Sequence, residues 1–201
     1  MTIILGAYVD VTESHEYLTL KFSPQQMSIQ DRWRNNGLSA DFLADYWATF
    51  FPVSDKVSER THIQVKSAIS YIANELLENA MKFHCDDSEN SIYITLYLFP
   101  DQLVFFMTNY VKHATAAAFQ EYIHSLLNSD IAERYLAQLE SNAKDITHST
   151  SRMGFLTMMH DYGAKLGWKF ETSSEGPEWE IVTTMVLLPI SDELIGAPRA
   201  H

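Results

Sequence analysis

The chain has 201 residues, 46% of them hydrophobic, with only 7 glycines and 6 prolines; such a stock can bury a core and excludes disordered, collagen-like and coiled-coil classes. Its 26 acidic residues outnumber 14 basic ones, giving a net charge of −12, and without any Lys/Arg run this excludes unaided binding to a nucleic-acid backbone. The single cysteine, Cys85, excludes an intrachain disulfide and CxxC metal sites, and neither a signal peptide nor a membrane-spanning run of ~18 apolar residues is present, so a soluble cytoplasmic protein without membrane contact is expected.

Residues 1–22 read as strand, most clearly 17–22, where Tyr17, Thr19 and Lys21 alternate with Leu18, Leu20 and Phe22. Ser23-Pro24 is a helix start, Asn35-Asn36-Gly37 a stop, and Ser39 the cap of a second helix that ends against Pro52. The aromatics at 42, 46, 47, 50 and 51 are expected in the core, with a partner-docking face as the alternative. From 54 to 84, Val65, Ile69, Ile72, Leu76, Ala80 and Phe83 recur at helical spacing on one stripe. A hairpin follows, with strands at 92–99 and 103–108 around Pro100-Asp101-Gln102. Residues 114–142 are helical with a break at Asn128-Ser129-Asp130. A last helix carries Phe155, Met158, Met159, Tyr162 and Leu166 and stops at Gly167; strands at 168–172 and 179–188 close the fold.

This order implies an α+β fold: a two-layer sandwich with a mostly antiparallel, mixed sheet and helices on one face. The expected organisation is an N-terminal strand and helical extension over 1–55, a core domain over 56–190 and a flexible tail over 191–201.

The chemically informative stretch is Glu75-Leu-Leu-Glu-Asn79-Ala-Met-Lys82-Phe83. At 100° per residue, Glu75, Asn79 and Lys82 lie within about 60° of one another. Asn79 sits at the rim of the Ile72/Leu76/Phe83 stripe, where a buried unpaired amide costs about 1–3 kcal/mol. A carboxylate, an amide and an ammonium converging there can hold hydrated magnesium and the phosphates it bridges, because magnesium takes oxygen ligands and keeps several waters. The plainer alternative is that Asn79 caps a nearby backbone group while Glu75 and Lys82 are solvated helix charges. The histidines show no HxxxH ligand spacing. Cys85, at the C-terminal end of the long helix, is expected to be structural.

This stretch resembles the N-box, E-x-x-x-N-A-x-K-F/Y, of the GHKL superfamily of ATP-binding domains with its Bergerat fold. Ser151-Arg152-Met153-Gly154-Phe155 and the segment running to Gly167 resemble that family's glycine box and following helix, and Thr183-Thr-Met-Val-Leu-Leu-Pro189 its last strand. The resemblance covers about residues 60–190 in the family's order. It implies an Asn79-bound Mg²⁺, a catalytic Glu75 that orients or activates an attacking hydroxyl, and Lys82 near phosphate. Asn109 stands where the family's adenine-binding Asp would fall, without the two glycines of D-x-G-x-G, and Arg152 replaces the first glycine of the glycine box while Gly154 matches the second. Ser149, Thr150, Ser151 and Arg152 are hydroxyl and guanidinium candidates for the phosphates.

With little beyond one such domain, the chain is similar to stand-alone anti-sigma-factor-like or SiaB-like serine kinase regulators of bacterial partner switching. That implies ATP- and Mg²⁺-dependent phosphorylation of a small STAS-like or other regulatory protein, and it allows a homodimer. A binding module of the same fold that has lost turnover, and an unrelated α/β scaffold, are the other classes open at this point.

Overall fold

The computed structural model describes residues 1–11, 16–23, 29–53, 59–85, 90–144, 153–172 and 178–190; for 29–34 it describes the backbone alone. The elements run β1 (Thr2–Gly6), β2 (Glu16–Phe22), α1 (Ile29–Phe50), α2 (Glu59–Phe83), β3 (Ile92–Leu98), β4 (Gln102–Lys112), α3 (His113–Leu127), α4 (Ile131–Lys144), α5 (Gly154–His160), β5 (Lys165–Thr172) and β6 (Trp179–Pro189). The six strands form one sheet in the order β1-β5-β6-β4-β3-β2. Every pair is antiparallel, so the expected mixed sheet is in fact purely antiparallel among the described residues. The two-layer α+β arrangement is as expected.

Period-2 alternation sets the two faces of the sheet. In β3, Ile92, Ile94, Leu96 and Leu98 are buried while Tyr93, Thr95 and Tyr97 between them are half-buried. In register with the buried set lie Phe105 and Met107 of β4, Val182 and Val186 of β6, and Trp168 and Phe170 of β5. This face carries the core, against Leu76 and Ile72 of α2, Ile123 of α3 and Phe155 of α5. α1 packs on α2, where Asp45 pairs with Lys66 (2.5 Å) and Ser70 donates to Asp41 (2.7 Å).

β1 and β2 are consecutive in sequence yet lie on opposite edges of the sheet. At ~4.8 Å per strand spacing, the link between them must cross about 24 Å. Residues after β1 begin that crossing on the face opposite the helices. The Ala7 amide bonds Leu166 O (2.8 Å), the Val9 amide points at Met185 Sδ (3.4 Å), and Tyr8 packs edge-on against Phe106. Gly167 makes room for it, since a Cβ there would collide with the Tyr8 backbone.

Four sequence expectations are corrected. Helix α1 runs unbroken through Asn35-Asn36-Gly37 to Phe50, because Asn36, Ala40, Leu43, Ala44 and Trp47 form one buried stripe. That packing outweighs the cost of an internal glycine, about 1 kcal/mol. The 42–51 aromatics are split: Trp47 is buried, whereas Phe42 and Phe50 are 52% and 43% exposed. Strand β4 continues to Lys112, four residues past the expected end, paired throughout with β6. Helix α5 ends at His160 rather than Gly167, because Gly163 adopts φ 62° and Ala164 closes onto Met158 O (2.9 Å). Leu166 and Gly167 then belong to β5. No helix among the described residues is long and apolar enough to cross a membrane.

Candidate functional site

The apolar stripe of α2 faces the sheet and α1, and its other flank faces α5. Glu75 and Tyr71 lie on that second flank, one turn apart. A Cβ built on Gly154 would collide with Glu75 Oε2, so the start of α5 rests directly against this carboxylate. Gly154 is therefore glycine for a tertiary reason: the carboxylate occupies the space of a side chain. Among the described residues no hydrogen bond or ion pair reaches the Glu75 carboxylate. Burial, and secondarily the Glu78 charge, raise its pKa above the ordinary value.

Asn79 is half-buried one turn further along the same flank, and Lys82 follows, exposed, with its ammonium 5.5 Å from the Phe83 ring centroid. Glu75 to Lys82 spans about 10 Å of helix axis. With Glu59 in the first turn and Lys82 in the last, α2 also complements its own dipole, a structural role for Lys82 that needs no ligand. Gly154 is thus brought to Glu75, with Asn79 on the adjoining turn. Ser149, Thr150, Ser151 and Arg152 lie outside the described residues.

Asn109 has a different setting. It is only 7% exposed, on the core face of β4, and its Nδ2 donates to Ala80 O (3.4 Å), the same carbonyl that accepts the His84 amide (2.9 Å). β3 pairs with β4 only as far as Thr108, which leaves the next stretch of that edge unpaired by strand. The chain leaving α2 takes the place: the Cys85 amide bonds Tyr110 O (2.8 Å), and the Tyr110 amide bonds His84 Nδ1 (3.4 Å). Asn109 thus sits inside β4 and anchors the end of α2, where the sequence reading ended the strand one residue earlier, at Thr108. Cys85 is buried, as expected of a structural thiol.

The sequence did not single out Tyr71, and it placed Tyr162 on one face of the last helix, whereas Tyr162 follows the end of α5. The Tyr71 ring lies 5.5 Å from that of Tyr162, and burial pushes its hydroxyl pKa up to about 12. The i−4 spacing of Tyr71 from Glu75 was the available signal. Beyond α5, the Tyr135 ring of α4 stacks on His160 (4.2 Å) and its hydroxyl donates to Asp161 (3.0 Å).

Among the described residues no three His, Cys, Asp or Glu side chains cluster as a metal cage. A single amide oxygen, that of Asn79, is enough protein ligand for a magnesium ion that keeps several waters and is shared with phosphates.

No protein-family model and no curated protein matches the chain. A chain in the crystal structure of the SiaB–SiaC complex from Pseudomonas aeruginosa does match, with a TM-score of 0.57 at 12% identity, over 85% of this chain and 89% of that one. At that identity the likeness establishes a shared fold.

Proposed function

We propose that the protein is a signalling regulator of the partner-switching type. In this proposal the α5-facing flank of α2 binds ATP with Mg²⁺, and the γ-phosphoryl group passes to a Ser or Thr hydroxyl of a small STAS-like or other regulatory protein. The observation that carries it is the half-buried Glu75 carboxylate, set against Gly154 without a hydrogen-bond or ion-pair partner among the described residues. Removing a carboxylate from water without pairing it lowers stability, and such groups concentrate at functional sites. The likeness to a chain from a two-protein complex supports a protein partner.

In the transfer, the acceptor oxygen bonds to phosphorus as the P–O bond to ADP breaks, and the hydroxyl proton passes to a Glu75 carboxylate oxygen. Asn79 offers its amide oxygen to the ion, which when bound offsets phosphate charge. Lys82 and Gly154 flank the phosphates, and Ser149, Thr150, Ser151 and Arg152 are assigned there on sequence grounds. Asn109, oriented by donating to Ala80 O, keeps its Oδ1 as an acceptor for the adenine amino group. A protein of net charge −12 needs these local donors and the ion to accept a polyanion.

A second reading, a protein-binding module without turnover, is favoured by one specific observation: the adenine-box position is built into the α2 anchor. Titration with ATP and Mg²⁺, followed by thermal shift, separates the two. A ligand at 100 times its Kd stabilises by about 2.7 kcal/mol, and the Asn79→Ala variant should lose most of that. Absence of any shift at millimolar ATP contradicts the nucleotide proposal.

A further inference from the structure

We propose that the outward face of α4 is a docking surface for an amphipathic helix of a partner protein, one whose apolar seam is edged by Lys or Arg. This concerns where a partner is held, not how a phosphoryl group passes, so it stands independently of the nucleotide reading.

None of the fourteen residues of α4 is buried. Its half-buried residues form one flank, which faces the rest of the chain. There the Tyr135 ring stacks on His160 at 4.2 Å and its hydroxyl donates to Asp161 (3.0 Å). On the same flank the Arg134 guanidinium donates to Ser125 Oγ (3.0 Å) and lies over the Tyr122 ring (5.4 Å). About a third of the way around the helix, Ala132, Leu136, Leu139 and Ala143 fall within an arc of about 60°. All four are exposed, the leucines at 59% and 42%. Their spacing of four, three and four is the a/d repeat of a two-stranded helical seam, the pattern that a second helix covers. An apolar stripe of this form, unused by its own core, marks an interaction surface.

The charges along the seam select its occupant. Glu133 and Glu140 stand one heptad apart on its outer edge, both exposed, and no ion pair among the described residues engages either. In a helix pair these are the positions that meet the flanking residues of the partner, so Lys or Arg there completes the match. The net charge of −12 draws the same kind of partner. A second copy fits poorly. Antiparallel pairing sets the two glutamate edges against each other, and parallel pairing calls on the opposite edge, where Tyr135 is already held by His160 and Asp161. The glutamates also disfavour an anionic lipid surface, because helices that lie on membranes carry Lys and Arg beside the apolar face.

The test uses the full chain and a synthetic peptide of three heptads, with leucine at the seam positions and lysine at the flanking ones, whose like charges keep it monomeric. A twin peptide carries glutamate in place of lysine. Fluorescence anisotropy is expected to show the lysine peptide bound by the wild-type chain and the glutamate peptide unbound. Leu136→Gln with Leu139→Gln, which keeps helix propensity and charge, should weaken the lysine peptide about tenfold or more. Glu133→Lys with Glu140→Lys should turn the preference over to the glutamate peptide. All four positions are exposed, so circular dichroism should be unchanged. A wild type that binds neither peptide, or a leucine variant that keeps the lysine peptide, overturns the proposal. So does a wild-type dimer, by light scattering, that becomes a monomer in the leucine variant, because the occupant is then a second copy. Should the leucine variant fail to fold, the charge-reversed one decides, and an unreversed preference overturns the proposal. A chain that takes the lysine peptide but not ATP contradicts the nucleotide reading and supports the docking surface.

Discussion

Two of the polar regions where helix α2 meets its neighbours are built on opposite terms. At its C-terminal end, against β4, groups are matched: Asn109 and the His84 amide both donate to Ala80 O, Cys85 bonds Tyr110 O, and the Tyr110 amide bonds His84. One flank away, against α5, the Glu75 carboxylate is pressed onto Gly154 with its pKa raised by burial. Matched buried groups specify a unique packing, whereas an unmatched carboxylate lowers stability and is kept where chemistry needs it. The same helix therefore holds an anchor and a site within two turns of each other. Which polar residue plays which role follows from its hydrogen-bond partners, not from its place in a motif.

The largest expected effect breaks the anchor. Asn109→Asp restores the residue of the resembled ATP-binding pattern, yet an ionised carboxylate cannot donate to Ala80 O and would face that carbonyl with lone pairs. A loss of about 3 kcal/mol is expected, with no gain in ATP affinity; denaturant unfolding measures the first and calorimetry the second. Tighter ATP binding with unchanged stability would reverse the roles of the two contacts.

Next in size is Gly154→Ala, where the new methyl must displace the Glu75 carboxylate or push α5 away, at about 2 kcal/mol. Combined with Glu75→Gly, which vacates that space, the alanine should cost much less than it does alone. Additive losses in the double variant would separate the two residues.

Glu75→Gln sharpens the contrast from the other side. Because the folded-state pKa of Glu75 is raised, the folded chain binds the proton more tightly than the unfolded one. The penalty is absent in acid and develops as pH rises above the ordinary carboxylate range. Glutamine should therefore stabilise by about 1 kcal/mol at pH 7–8, with little effect near pH 4, a rise in Tm of about 2–4 °C at neutral pH. Equal effects at both pH values would exclude a desolvated carboxylate. The smallest effect belongs to Gly37→Ala, remote from both contacts: open space surrounds its Cβ position, so a gain of up to about 1 kcal/mol is expected at every pH.

Much of the architecture was legible in residue patterns. The 3.6-residue stripe of α2, the turn at Pro100-Asp101, the break at Asn128-Ser129-Asp130 and the strand at 17–22 all stand where expected. The misses share a cause, which is tertiary packing overriding local signals. Gly37 reads as a stop, but the buried stripe from Asn36 to Trp47 carries α1 through it. The expected strand stops at Thr108, but pairing with β6 extends β4 through Asn109 to Lys112. Leu166 continues a helical stripe, yet Gly163 turns the chain into β5 first. Of the candidate site, Glu75, Asn79 and Lys82 were readable from spacing on one helix. That Gly154 abuts Glu75 was not readable, because the contact joins residues 79 positions apart. For the same reason the approach of Tyr71 to Tyr162 was not readable.

The central claim is that ATP binds where Glu75, Asn79 and Gly154 converge, and amide hydrogen exchange with and without ATP and Mg²⁺ tests it most directly. Added protection is expected over residues 75–82 and 153–157, with β1, β2 and the exposed flank of α1 unchanged. Saturating ATP that leaves 75–82 and 153–157 unprotected, or protects the sheet edges instead, would contradict it.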